Sequence, residues 1–164
     1  MKQFLILVLA LSLAAPIWAQ EMGKITGLPI PRFVSLKSNS TNARRGPSLS
    51  HRVDWEFLRK GLPVRVTAEY ENWRRVEDSE GAGGWVHYTL LSGSRTVLVT
   101  ADEATLYRNA NAASAKVAVA EAGVIGFVDS CSIGWCEIEI GSYDGWTEAG
   151  NLWGVYSTEL AAQN

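Results

Sequence analysis

From Leu62 to Tyr70 the chain alternates, with Leu62, Val64, Val66, Ala68 and Tyr70 in every second place and Pro63, Arg65, Thr67 and Glu69 between them. A period of two is that of a strand with one buried face, which assigns the first set to the core side and the second to the other side. No comparable segment keeps a helical period over three turns. Turn-forming clusters divide the chain into short runs: Arg45-Gly46-Pro47-Ser48, Lys60-Gly61, Glu71-Asn72 and Glu80 to Gly84. Strands of about four to seven residues at such spacing predict small closed barrels, because closure removes exposed sheet edges.

The pattern occurs twice. With Gly61 laid on Gly123, KGLPVRVTAEYENWRRV lies on AGVIGFVDSCSIGWCEI, Trp73 falls on Trp135, and Val76 falls on Ile138. After one gap, GGWVHYTLL lies on DGWTEAGNL, which matches Trp85 to Trp146 and Leu91 to Leu152. The chain therefore holds two copies of a unit of about 60 residues, near 36–95 and 100–160, each predicted to be a β-structure. Residues 20–35, with Pro29 and Pro31, read as a leader that is either an edge strand entering the first unit or a linker. Ser92-Gly93-Ser94 begins a passage between the units so short that the two should touch.

The start of the chain bears on where it works. Lys2 precedes an uncharged apolar run from Phe4 to Ala15, followed by Pro16-Ile17-Trp18-Ala19 and polar Gln20-Glu21, the order of a secretory signal peptide cleaved after Ala19. The alternative, a membrane anchor, needs about 20 apolar residues, more than this run supplies. Removing residues 1–19 leaves 145 of the 164 residues, enough for one ordinary domain or two small ones. The expectation is an exported protein, periplasmic or extracellular and not membrane-spanning once cleaved. An oxidising compartment also favours a disulfide between two cysteines.

Charge divides with the repeat. Gly27 to Leu98 carries eleven Lys/Arg against seven Asp/Glu, a net of +4, whereas Val99 to Asn164 carries two against nine, a net of −7. Opposite halves exclude a uniform field and favour either docking of one half on the other or separate partners.

The stretch NARRGPSLSHRVDWEFLRKGLPVRVTAEYENWRRVEDSEGAGGWVHYTLL resembles a bacterial SH3 domain. It has the Asn-x-Arg-x-Gly-Pro-Ser opening at Asn42 to Ser48, Gly61 before an alternating strand, the Trp73 to Val76 strand, and the Gly-Trp-Val-His close at Gly84 to His87. The second copy is more divergent, with LYRNANAAS at the opening and Thr147 after Trp146, and is similar to tandem SH3 proteins of exported type. The resemblance implies an all-β fold of two tandem small SH3-like barrels: signal peptide 1–19, leader 20–35, a basic domain 36–95 and an acidic domain 99–160. It implies little about chemistry, since one fold hosts many functions.

Four residues separate Cys131 from Cys136, in a strand, turn, strand context. A redox pair usually has two intervening residues and a helix N-terminus, so thiol-disulfide exchange is the weaker reading. Zinc would need His51 and His87, both in the other repeat, and no metal or other cofactor is expected. If Ser132-Ile133-Gly134 turn a hairpin, the cysteines come within disulfide reach and clasp it. The first copy, with Glu71 and Val76 nearby, would then hold its hairpin by packing alone.

Six tryptophans lie beyond residue 20, and Trp73, Trp85, Trp135 and Trp146 recur at matching places as framework residues would. Tryptophan can pack on one face and stay exposed on the other, and SH3 folds bind extended peptides in aromatic-lined grooves. Tyr70, Trp73, Trp85 and Tyr88 are therefore the candidate ligand contacts, with Tyr107, Tyr143 and Trp153 as looser counterparts. Arg44, Arg45, Arg74 and Arg75 join them if the barrel brings them to one side; otherwise they are a solvated face. The expected partner is cell-wall peptide or glycan, or an envelope protein. Nucleic acid is not expected of an exported protein of net negative charge. No hydrolase elbow, zinc-protease motif or phosphate loop occurs, so a non-enzymatic binding module is expected, with a periplasmic scaffold as the alternative.

Overall fold

The computed structural model describes residues 20–160, and the stretch read as a signal peptide lies outside them. The strands are β1 Glu21–Met22, β2 Pro29–Ile30, β3 Arg32–Leu36, β4 Thr41–Arg44, β5 Val53–Phe57, β6 Pro63–Tyr70, β7 Trp73–Glu77, β8 Gly83–His87, β9 Leu91–Ser92, β10 Thr96–Val99, β11 Glu103–Tyr107, β12 Lys116–Glu121, β13 Ile125–Ser132, β14 Trp135–Ile140, β15 Tyr143–Glu148 and β16 Leu152–Trp153. A short helix α1 spans Ser157–Leu160. β1 and β2 form a small hairpin; the other strands form two curled seven-stranded sheets. The first has the order β5-β4-β8-β7-β6-β3-β9 and the second β12-β11-β15-β14-β13-β10-β16. Each place in one order is filled in the other by the corresponding strand of the second copy. The repeat in the sequence is thus a repeat of topology, and the two-barrel, all-β expectation holds.

Each barrel has its own apolar centre. Val34, Leu36, Ala43, Phe57, Val64, Val66, Val76 and Val86 fill the first. Val97, Val99, Leu106, Ile138 and Leu152 fill much of the second, together with Cys136. The glycine before each outer tryptophan has a steric cause. A Cβ on Gly84 would lie 2.6 Å from the Arg44 carbonyl oxygen, and one on Gly145 2.9 Å from that of Tyr107, so β8 and β15 cross β4 and β11 where no side chain fits.

Two sequence expectations change here. The boundaries at 36 and 99 fall at the ends of strands, because β3 and β10 open their barrels: β3 pairs with both β6 and β9, and Val34 joins Leu36 in the first core. Of the two readings of the leader, residues 32–35 follow the strand one and enter the first barrel as β3, paired on both sides rather than at an edge. Second, the alternation along β6 inverts past Thr67. The pairing with β7 slips between Val66 and Ala68, a β-bulge that adds one residue and exchanges the faces beyond it. Tyr70, expected inside, is 51% exposed, while the Glu69 side chain, expected outside, is only 1% exposed. β13 slips at the equivalent place, between Val128 and Ser130.

Candidate functional site

Register brings most of the predicted contacts onto one surface. In the first barrel Trp73 pairs with His87 and Arg75 with Trp85 across β7 and β8, Tyr70 pairs with Trp73 across β6 and β7, and Arg44 pairs with Trp85 across β4 and β8. Directly opposed residues share a face, and neighbours along a strand do not. Val76 and Val86 point into the core, so Tyr70, Trp73, Arg75, Trp85, His87 and Arg44 lie on the outer face. Tyr88 follows His87, with ring centroids 5.1 Å apart, and is half exposed.

The members differ in freedom. Trp73 is buried and meets His87 edge-on at 5.4 Å, so its role is framework. Arg44 donates from Nη1 to the carbonyls of Leu49 at 3.2 Å and His51 at 2.7 Å, which ties down the loop between β4 and β5. Arg45 points from that loop to Asp54 at 2.9 Å, a carboxylate it shares with Arg52 at 2.6 Å. Arg75 is exposed and belongs to none of the ion pairs among the described residues. Tyr70, Trp85 and Arg75 thus offer aromatic surface with one uncompensated cation, and Tyr88, next to His87 and under Arg74, stands at its edge.

Arg74 does not belong to this surface. It pairs with Val86 on the core side, is 7% exposed, and donates to the carbonyls of Glu71 and Trp73, both at 2.8 Å. Its guanidinium lies 6.0 Å from the centre of the Tyr88 ring and 3.5 Å from Glu69.

In the second barrel the same face has other chemistry. Trp135 pairs with Glu148, Glu137 with Trp146 and Glu139 with Asp144, and Tyr107 stands beside Trp146 where the first barrel has Arg44. The tryptophan frame persists, with Tyr107 and Trp135 rings 5.8 Å apart, but Arg75 has become Glu137 and His87 has become Glu148. Glu137, Glu139, Asp144 and Glu148 thus lie on the face equivalent to the one that carries Arg44 and Arg75 in the first barrel.

Cys131 and Cys136 are bonded, and they are a directly opposed pair of β13 and β14 with Cα atoms 4.1 Å apart. A bonded cysteine offers neither a thiolate nor a metal ligand. The first barrel does not rely on packing alone, as Glu71 and Val76 had implied: Glu69 and Arg74 are its corresponding opposed pair, while Glu71, with φ of 44°, makes the turn, as Ile133 does at 53°. Glu69 also accepts from the backbone N–H groups of Ile25 and Thr26, each at 3.0 Å, from Thr26 Oγ1 at 2.6 Å and from Arg32 Nη2 at 2.8 Å. Burial alone would raise its pKa, but the hydrogen bonds from Thr26, Arg32 and Ile25 outweigh that and lower it to about 2. The β1–β2 hairpin is thereby pinned to the first barrel by a buried carboxylate.

The seam between barrels was not visible in the sequence beyond the shortness of the passage. Phe33 sits between Trp153 and Tyr156, at 5.3 and 5.4 Å, and its N–H donates to the Tyr156 hydroxyl at 3.2 Å. Arg65 lies 5.2 Å from the centre of the Trp153 ring. Arg95 stacks over Tyr156 at 4.7 Å and is held by Glu159 of α1. Trp153, a looser binding candidate, is therefore seam structure.

The profile of the family described as "Bacterial SH3 domain" matches residues 37–93 and again residues 100–154. No curated protein matches the chain. Among solved structures, NlpC2 from Trichomonas vaginalis is similar at 16% identity and a TM-score of 0.34, over 75% of this chain and 48% of that one. NlpC1 from the same organism is similar at 15% identity and a TM-score of 0.35, over 80% of this chain and 48% of that one. The chain spans about half the length of each. With both barrels matched in full topological order, the chain belongs to the bacterial SH3 domain family, as a tandem pair.

Proposed function

We propose that the protein is a non-catalytic binding module of the cell envelope, whose first barrel holds anionic cell-wall peptide or glycan against its outer face. The observation that carries this reading is the register pair Arg75 and Trp85, with Arg44 on the far side of Trp85: one exposed cation and one partly exposed indole side by side on a rigid sheet. Tyr70 and Tyr88, each about half exposed, extend the aromatic surface. Sugar rings and peptide planes stack on aromatic faces, while carboxylates pair with guanidinium.

Export is part of the proposal. A disulfide persists in oxidising compartments, and among the described residues no helix is long and apolar enough to cross a membrane. The acidic outer face of the second barrel supports a second role, contact with a basic envelope protein, so that the molecule would bridge wall and partner. The test is co-sedimentation of the mature chain with isolated bacterial cell wall. Retention at low salt that weakens as salt rises supports the reading, and no retention at low salt overturns it.

A further inference from the structure

A cavity of about 750 Å3 opens in the seam between the barrels, away from the outer face of the first. Both barrels line it: Leu36 and Lys37 from the end of β3, Lys60 from the turn before β6, and Ile125 and Phe127 from β13. The space therefore exists only where the two barrels dock. Its volume lies within the range of small-molecule sites, roughly 300 to 1,000 Å3.

Its lining combines two kinds of unsatisfied surface. Phe127 is 54% exposed, an aromatic ring left in water on a concave wall beside Ile125 and Leu36. Both lysines are exposed, and neither belongs to any ion pair among the described residues. Among the described residues Lys37 Nζ donates only to the Thr89 carbonyl, at 3.1 Å, which is no counter-charge. The walls are fixed in place by hydrogen bonds across the seam. Thr96 Oγ1 donates to the Gly61 carbonyl at 2.7 Å, Arg59 to that of Gly123 at 2.6 Å, and Ser35 Oγ to that of Ser94 at 2.8 Å. A site held this way loses little freedom when filled.

We propose that the seam cleft binds a short acidic peptide, with carboxylates on Lys37 and Lys60 and an apolar side chain against Phe127 and Ile125. A neutral sugar would leave both ammonium groups unmatched, and a bare inorganic anion would leave the apolar wall wet. A chain with carboxylates and apolar groups in close succession satisfies both. This site is separate from the outer face of the first barrel, and either can fail without the other.

The experiment uses the mature chain and three fluorescein-labelled peptides, Ala-Glu-Phe-Glu-Ala, Ala-Gln-Phe-Gln-Ala and Ala-Lys-Phe-Lys-Ala. Anisotropy gives affinity, and amide chemical-shift changes locate the contact. The acidic peptide should bind best, with shifts at Lys37, Lys60 and Phe127, and Lys37→Glu and Lys60→Glu should each weaken it about fivefold, the scale of an exposed ion pair. Both lysines are exposed, so the variants should melt as the parent does. Absent binding, equal binding of the three peptides, or binding that survives the double substitution overturns the proposal. So do shifts confined to Tyr70 and Trp85, which would assign the peptide to the outer face. A mass that doubles with concentration and reverts in the double variant would assign the cleft to a second copy of the chain and also overturn it.

Discussion

Glu69 and Arg74 oppose each other across the first hairpin at the positions that Cys131 and Cys136 occupy in the second. Two barrels with the same strand order thus close the same hairpin differently, one with a disulfide and one with a buried ion pair. The difference has a consequence for the chain around them. A disulfide completes its own valence, whereas the Glu69 carboxylate has oxygen lone pairs to spare and uses them on Ile25, Thr26 and Arg32. Only the ion-pair version can recruit the N-terminal segment.

Substituting Glu69→Gln leaves Arg32 and Arg74 buried without their anion, at side-chain exposures of 11% and 8%. Removing one partner of a buried pair typically costs about 3 kcal/mol or more, so chemical denaturation should show a loss of that order. The β1–β2 hairpin should also become the first site of proteolysis, since its hold on the barrel is gone.

Acid should act on the same group. The Glu69 carboxyl is lowered from an ordinary value of 4.5 to about 2, so its contribution is complete above about pH 4.5 and is lost as pH falls through 2. Over that window the contribution amounts to about 3 kcal/mol at most. Denaturation midpoints should therefore fall between pH 5 and pH 2 in the parent, with a smaller fall in Glu69→Gln. Equal slopes for the two proteins would show that other groups carry the acid response.

In the second barrel the clasp encloses a loop of sequence separation 5, so its effect on chain entropy is small, about 2 kcal/mol. Replacing Cys131 and Cys136 together by alanine should lower the melting temperature by a few degrees and leave wall binding unchanged. An unaltered melting curve would remove the clasp from the list of stabilising features.

How much of this could be read from the chain depends on whether each feature has a local pattern. The Gly-Trp pairs and the alternation before Thr67 are local, and they located both barrels and Trp85, whereas Arg75 was named only as one of four arginines that the fold had to bring together. The bulge at Thr67 is one extra residue with no marker of its own, and it moved Tyr70 outward and Glu69 inward. The alignment that set Trp73 on Trp135 already set Glu69 on Cys131 and Arg74 on Cys136. Reading Glu and Arg as solvated charge concealed the pair, which a covalent bond at the matching place should have exposed. Phe33 meets Trp153 and Tyr156 across more than a hundred residues, and Lys60 and Phe127 line one cleft from opposite barrels, so no periodicity signals either arrangement.

Docking of the barrels depends on Phe33, whose ring fills the space between Trp153 and Tyr156. Phe33→Ala removes the aromatic contacts and much of the apolar area there, at a cost of about 2 kcal/mol in coupling between barrels. Calorimetry should then resolve two unfolding transitions, against a single one expected of the parent. A single unshifted transition would mean that the polar contacts alone hold the seam.

Binding at the outer face is tested most directly by co-sedimentation of isolated cell wall with the mature protein and with the Trp85→Ala, Arg75→Glu double variant, both first shown to melt cooperatively. Loss of a stacking surface and reversal of an exposed cation together should reduce retention at least about tenfold at low salt. Equal retention of parent and double variant would contradict the assignment of wall binding to this face.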